Sequence, residues 1–441
     1  MGKTRKNNSM IEPSFWSFAS GRRLSVVHLM LALVTIIILV GGIYFARRSG
    51  SDPRIYTNDF NVYYHAAREV MAGRDPYQDS LRPSTPYLYP PLLSEVILPL
   101  ALLPLPLAAY VWYLASVASI LSAAWMAATL GCQLILSKQA MSDDTRLRVR
   151  PCDSNRLRIL IAAIALLMLI RFVLDNFDFG QVNTIVAALA VAHVYFYAKE
   201  KRTASALALA LAVSIKLTPI ILIFYHAARL RLRFVAACLG LLAVITLLSF
   251  LPFGSRGSEA FTVFVNRTVK NGQGFDLAFS GNQSLRGAVA RLTETQDQRP
   301  DMYGGQATRR PTSALTLTLS VALVALSILS ALMARDEMAA AAPFFCCFVL
   351  LSPLSWKAHF VVLIFPIAYL IAGTFAATEK RRAYLIAVLI AVFALFNITS
   401  PKVFGPEWGE WTDAHSLVAA GALLVYCAAV WQATRRFVNL E

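Results

Sequence analysis

The chain is poor in acidic residues and in cysteine: 25 Asp and Glu stand against 41 Lys and Arg, and only six cysteines occur in 441 residues. The cysteines lie mostly in apolar stretches, without CxxC spacing or a matching histidine cluster, which argues against a disulfide framework or a zinc site. A Gly-rich phosphate loop, a nucleophile elbow, an HExxH motif and a Rossmann fingerprint are also missing. We therefore expect no metal, no cofactor and no binding of a soluble nucleotide.

Apolar residues are plentiful. They make up 57% of the chain, the mean hydropathy is +0.57, and several apolar runs approach the twenty residues that cross a bilayer. The net charge of +16 is spread over short Lys and Arg clusters between these runs, as charges that set membrane topology are. The sequence thus predicts an all-α polytopic membrane protein in contact with lipid, and argues against a soluble fold or a nucleic-acid partner.

Assigning the basic clusters to the cytoplasm gives about ten full spans with both termini inside. Residues 1–23 form a cytoplasmic N-terminal segment, and residues 24–436 form a single membrane domain with outer loops at 47–105 and 252–312. The apolar stretch after Arg23 is too long for the core of a signal peptide, so we interpret it as an uncleaved first helix. The predicted spans are 24–46, 106–136, 157–175, 180–198, 232–251, 313–334, 338–355, 358–377, 381–399 and 416–434.

Two apolar segments do not fit as full spans. Residues 91–103 are short and end at prolines, which predicts a re-entrant or interfacial helix. Residues 203–228 are interrupted by Lys216-Leu217-Thr218-Pro219 and have basic residues at both ends. This pattern fits either two short helices that enter and return or one kinked span.

The topology places four polar segments on the same outer face. They are the loop around Asp59, residues 175–183, the stretch 252–312 and residues 352–359. Segments that are far apart in sequence would therefore line one extracytoplasmic cavity.

Asp59 is the leading catalytic candidate. Thr57 and Asn58 are good N-caps and Gly73 is a good residue just beyond a C-terminus, which predicts a helix over 59–72 with Asp59 in its first turn. A first-turn acid can simply complement the helix dipole. At a membrane edge it can also accept the proton of an attacking hydroxyl, as a sugar transferase requires. Tyr63, on the same helix, is a candidate substrate contact.

Three further groups carry alternatives. His359 could donate to a phosphate or to the base, or could be a hydrogen-bonded packing residue, and the adjacent Trp356 and Lys357 favour a site. Trp356 is itself a candidate substrate contact. Lys357 could contact phosphate or be an interface anchor. The polar residues Gln181 and Asn183 could bind substrate or form bonds between helices.

Lys216, in the helix break, could bind an anion or pair with a buried acid. In the long outer loop, Arg267, Lys270 and Arg286 run against the usual charge bias, which makes them candidate phosphate contacts. Asn282 and Gln283, between these basic residues, are candidate substrate contacts.

Several motifs together carry a family resemblance. The sequences DFNVYYHAAREVMAGRDPYQ, YLYPPLL, FGQVN, KLTPIIL, SGNQSL and LSPLSWKAHF occur in the order and spacing of glycosyltransferase family 87, the bacterial polyprenol-phosphate-mannose-dependent mannosyltransferases. Each motif alone is weak, but in register, with the first two counted as one block, the five are fairly specific. The resemblance covers Arg54 to Pro366. It implies a GT-C type membrane fold with its site on the extracytoplasmic side of a bacterial inner membrane.

By this resemblance, Asp59 is the base and His359 is a second catalytic residue. The expected donor is a polyprenyl-phosphate-linked hexose, mannose in the family, and the expected acceptor is a hydroxyl of a glycan or glycolipid. Ala358 stands where mycobacterial members have the first histidine of a Ser-Trp-x-His-His pattern, which leaves the sugar and the role of His359 open. The alternatives are a transporter or flippase of polyprenyl-linked sugars, which would need charged relay residues and repeat symmetry that the sequence lacks, and an inactive scaffold of the same fold.

Overall fold

The structure, a computed structural model, describes residues 17–51, 58–77, 87–140, 154–266, 278–293 and 314–434. Regular structure in these ranges is helical, with no strand, which confirms the predicted all-α class. The α-helices are α1 (Ser17–Ser51), α2 (Asp59–Met71), α3 (Pro91–Ala101), α4 (Leu105–Ala140), α5 (Ser154–Met168), α6 (Ile170–Phe179), α7 (Asn183–Ala198), α8 (Arg202–Ile215), α9 (Leu222–Ala228), α10 (Leu232–Ser249), α11 (Gly257–Phe264), α12 (Leu285–Thr293), α13 (Ala314–Met333), α14 (Glu337–Leu350), α15 (Ile364–Phe375), α16 (Glu379–Phe393), α17 (Pro401–Phe404), α18 (Pro406–Ala414) and α19 (Leu417–Thr434). Short 3₁₀ helices cover Thr218–Ile221, Leu251–Arg256 and Lys357–Leu363.

Seven helices among the described residues are long and apolar enough to cross a membrane. An eighth crossing results if α5 and α6, which meet at a bend of 67°, count as one span. Two of the ten predicted spans, 180–198 and 338–355, correspond to α7 and α14, which have 16 and 14 residues. Helices of that length reach only about 21–24 Å of the roughly 30 Å hydrocarbon core. The protein is polytopic, and ten spans stays a prediction.

The segment around Lys216 is a helical hairpin. His193 on α7 lies 3.0 Å from the hydroxyl of Ser205, near the start of α8, and its Nε2 is 2.9 Å from Nε2 of His226, in the last turn of α9. One residue therefore touches both ends of the interrupted segment. This contact supports the entering and returning pair and excludes a single kinked span. Lys216 lies between the two helices, in extended backbone, at the tip of the hairpin.

Two buried clusters hold the helices together. The larger one joins α4, α5, α7, α14, α15 and α19 and forms the centre of the bundle. The smaller one surrounds α2 and α3 and includes Phe60, Trp112, Val182 and Ile215. Since Val182 precedes α7 and Ile215 ends α8, this second cluster fixes α2 beside the start of one helix and the end of another.

Candidate functional site

Asp59 is the first residue of α2, as the capping pattern predicts. The side chain of Asn58 accepts a hydrogen bond from the backbone N–H of Asn61 over 3.0 Å. The amide of Asn58 also donates to the hydroxyl of Ser49, at the end of α1, over 2.7 Å. Gly73 follows the helix with a φ of +68°. The local sequence thus starts and ends this helix, and Ser49 fixes the direction in which Asp59 enters the bundle.

A close turn at Gly180 brings the FGQVN motif against α2. Gly180 has a φ of +59°, where a side chain is disfavoured, and a Cβ there would lie 2.7 Å from the Phe45 ring and 3.0 Å from Cβ of Phe60. The indole Nε1 of Trp112 donates to the Gly180 carbonyl over 2.9 Å. Glycine is required here for both reasons, and the close approach places Gln181 beside Asp59.

Four polar side chains form one continuous relay. Lys216 Nζ donates to Oδ1 of Asn183 over 2.6 Å, Nδ2 of Asn183 donates to Oε1 of Gln181, and the Gln181 side chain lies within hydrogen-bonding reach of the Asp59 carboxylate. Gln181 and Asn183 are buried, whereas Asp59 and Lys216 keep part of their surface accessible. The relay therefore joins the accessible acid to the accessible cation through protein.

The environment of Asp59 raises its pKa from 3.8 to about 6. Burial is the largest cause, because it disfavours the charged carboxylate. The positive charge of Lys216 and the hydrogen bond from Gln181 oppose it. A carboxyl with such a pKa is ionised at neutral pH and is still basic enough to take up a proton during a reaction.

Two tyrosines stand next to this acid. The hydroxyl of Tyr63, on α2, donates to the hydroxyl of Tyr89 over 2.9 Å, and the two rings meet edge to face. Burial is the main cause that raises the pKa of both phenols, and the negative charge of Asp59 adds to it. Tyr63 is fully buried and Tyr89 is partly accessible. Of the pair, Tyr89 is therefore the one placed to meet a substrate.

His359 enters the same site from the 3₁₀ helix Lys357–Leu363. Its ring lies near the backbone carbonyl of Leu354, which favours a ring N–H on that side, and Lys216 is an electrostatic neighbour. With the hydrogen on that nitrogen, the other nitrogen of the neutral ring is an acceptor. Lys216 thus lies within electrostatic reach of both candidate catalytic residues.

The SGNQSL motif is used in structural contacts. Asn282 Oδ1 accepts from the backbone N–H of Ser355 over 3.0 Å, and its Nδ2 donates to the Pro353 carbonyl over 3.1 Å. Nε2 of Gln283 donates to the Ser280 and Asp413 carbonyls over 2.7 and 2.9 Å. Both residues are almost fully buried. They hold the segment that carries His359, and their role in substrate binding stays a prediction.

The candidate phosphate contacts are dispersed. Lys357 forms an ion pair with Asp413 on α18. Trp356 packs against Phe279 with ring centroids 5.7 Å apart. Arg286 lies on α12 at intermediate exposure, and burial lowers its pKa. Arg267 and Lys270 fall outside the described residues. The phosphate-binding role of all these basic residues remains a prediction.

The structure thus brings Asp59, Gln181, Asn183 and His359 together around Lys216, with Tyr63 beside Asp59. Their roles in binding and catalysis stay predictions. From the sequence, Lys216 could either bind an anion or pair with a buried acid, and its central position in the site is not apparent. The available signal was its position, a single cation in the middle of an apolar segment. The part of Tyr89 was missed, although it belongs to the YLYPP motif.

The chain also resembles known proteins in its sequence. The family model of glycosyltransferase family 87 matches residues 87–353. A polyprenol-phosphate-mannose-dependent alpha-(1-2)-phosphatidylinositol pentamannoside mannosyltransferase of Mycobacterium tuberculosis (strain CDC 1551 / Oshkosh) is 26% identical over 365 residues, covering 81% of this chain and 75% of the relative. A protein with the same description from Mycolicibacterium smegmatis (strain ATCC 700084 / mc(2)155) is 24% identical over 350 residues, 78% of this chain and 77% of the relative.

Proposed function

This chain belongs to glycosyltransferase family 87, and from that premise we propose that it transfers mannose from a polyprenyl-phosphate carrier to a hydroxyl of a glycolipid or glycan. The reaction takes place on the extracytoplasmic face of a bacterial inner membrane. Two relatives that are named for a polyprenol-phosphate-mannose donor and a phosphatidylinositol mannoside acceptor support this choice of substrates.

The observation that carries the mechanism is the environment of Asp59. The carboxylate is partly accessible, has a pKa of about 6 and is held by Gln181. It accepts the proton of the acceptor hydroxyl while that oxygen attacks the anomeric carbon of the sugar. The bond from the anomeric carbon to the phosphate oxygen breaks, and polyprenyl phosphate leaves with the electron pair. One displacement of this kind inverts the anomeric configuration.

The other residues at the site bind and orient the substrates. Tyr89 and the acceptor nitrogen of His359 are placed to hydrogen-bond sugar hydroxyls. Arg286, Lys357 and the loop residues Arg267 and Lys270 are candidate partners of the leaving phosphate. The carrier tail lies against the apolar surface of the bundle, because the carrier reaches the site through the lipid.

A donor-competition assay tests the proposal. Purified protein in detergent receives radiolabelled polyprenyl-phosphate mannose or GDP-mannose, together with a phosphatidylinositol mannoside acceptor. We expect label in the product from the lipid-linked donor alone, and none with Asp59→Asn. Equal use of GDP-mannose would contradict the proposed donor. With the same protein reconstituted in liposomes, movement of the intact carrier between leaflets without transfer would indicate a flippase.

A further inference from the structure

Lys216 occupies a position that the helical hairpin holds firmly. Helix α8 ends at Ile215, Lys216 itself is extended, and the following 3₁₀ helix begins at Thr218 with the buried Pro219, which has no N–H, in its first turn. The far ends of the hairpin are joined through His193. The lysine backbone is therefore anchored from both sides, and its side chain reaches Asn183 on a different helix.

The hydrogen bonds from Lys216 to Asp59 can run in one direction only. Burial lowers the pKa of Lys216 to about 7 and the negative charge of Asp59 opposes this, so the lysine is still charged near pH 6, where Asp59 ionises. An ammonium group can only donate, and an ionised carboxylate can only accept. The amide of Asn183 must therefore turn its oxygen to the lysine and its NH₂ to Gln181, and the amide of Gln181 must turn its NH₂ to Asp59. The two amide dipoles are aligned from the cation to the anion, an arrangement in which each bond strengthens the next.

We propose that Lys216 is a positioning residue for the transfer reaction, which orients the Asp59 carboxylate through Asn183 and Gln181 and holds it in the ionised form. The inference rests on the proposed role of Asp59 as the base. In this role Lys216 supports the base, Asp59, as it takes the proton of the acceptor hydroxyl. It does not bind the phosphate of the donor.

The other charged groups near Asp59 do not replace this function. Tyr63 on α2 and Tyr89 before α3 are phenols that share its surroundings. Glu69 on α2 pairs with Arg74, and Glu95 on α3 acts on Tyr77 and Tyr87. On α1 and α6, Arg48 pairs with Asp178. His359 interacts electrostatically with Lys216. Lys216 is the cation that stabilises the charged form of Asp59.

The test is the pH profile of kcat/KM for mannosyl transfer by Lys216→Met, with Lys216→Arg and Lys199→Met beside it. Lys199 follows α7 at the end far from Asn183, where its Nζ lies over the ring of Tyr195, so its loss removes a lysine without touching the relay. We expect the acid limb of Lys216→Met to move up by about one pH unit, which gives about a threefold loss of rate at pH 6.5, nearly tenfold at pH 5 and little loss at pH 8.5. Lys216→Arg should keep most of the wild-type rate. Lys199→Met should show the same acid limb in the pH profile of kcat/KM as the wild type.

The donor KM separates this role from phosphate binding. An unmoved acid limb with a tenfold higher donor KM at every pH would assign Lys216 to the phosphate and overturn the inference. Asn183→Ala keeps the charge and breaks the relay, so it should lower kcat with little change in donor KM. An unchanged kcat in Asn183→Ala would also overturn the inference. This variant therefore serves as the test if Lys216→Met does not fold. Full activity of Asp59→Asn would instead refute the proposed function itself.

Discussion

Lys216 and Asn183, on two different helices, are joined by a hydrogen bond of 2.6 Å between Nζ and Oδ1. The bond closes the gap between the tip of the 202–228 hairpin and the start of α7. It also leaves the ammonium group within electrostatic reach of Asp59 on one side and His359 on the other. Four segments that the family motifs mark separately thus become one site.

The first prediction concerns the pH dependence of the wild type. Asp59 acts as a base only when it is ionised, and its pKa is about 6. The value of kcat/KM should therefore fall about tenfold per pH unit below pH 6 and level off above pH 7. A rate that stays flat between pH 5 and 8 would rule out Asp59 as the titrating base.

Glu95 provides the control for that profile, since burial raises its pKa to about 7. It lies on α3 beside Tyr77 and Tyr87, away from the relay. Glu95→Gln should leave the acid limb in place. A limb that disappears in Glu95→Gln would mean that the wrong acid has been assigned.

The second prediction concerns stability. A carboxyl whose pKa is higher in the folded than in the unfolded protein costs stability when it is ionised. For Asp59 this cost is absent below about pH 4, grows as the pH rises to about 6 and is constant above. Asp59→Asn should therefore be as stable as the wild type at pH 4 and more stable by about 1–3 kcal/mol at pH 7.5. Thermal unfolding in detergent at both pH values measures this, and a variant that is less stable at pH 7.5 would contradict the burial argument.

The third prediction concerns Gly180. Gly180→Ala combines an unfavourable φ with a contact of 2.7 Å to Phe45, so it should push Gln181 away from Asp59 and lower kcat at least tenfold. Gly73→Ala is the matched control, since Gly73 also has a positive φ but has open space around it. It should cost about 1 kcal/mol of stability and little activity. Equal activity losses in the two variants would show that backbone strain alone is responsible.

The sequence was sufficient to predict features that depend on neighbouring residues. The Asn58 cap and Gly73 define α2, and Pro219 breaks the apolar segment beside Lys216, so both features were predicted correctly. The partners of Lys216 could not be predicted in the same way, because Asn183 lies 33 residues away and its contact depends on how two helices pack. Likewise, nothing local distinguishes Gln283 as a packing residue from a substrate contact.

The fourth prediction concerns membrane sidedness. In a cysteine-free background, single cysteines at the exposed positions Met71 and Phe404 should react with an impermeant maleimide added to intact cells. Cysteines at the exposed positions Glu200 and Lys380 should be protected until the membrane is opened. Phe60 is fully buried and is unsuitable as a reporter. Protection at Met71 would place Asp59 on the cytoplasmic side and contradict the proposed topology.

The most direct test of the account is the rate of mannose transfer from polyprenyl-phosphate mannose by purified Asp59→Asn. An amide cannot take up the proton of the acceptor hydroxyl, and a general base contributes about 10²–10⁴-fold to such a step. We predict a loss of at least a hundredfold in kcat by a protein that remains folded and retains its affinity for the donor. A variant that keeps more than about a tenth of the wild-type rate would contradict the central claim, because a base of ordinary strength contributes more than that.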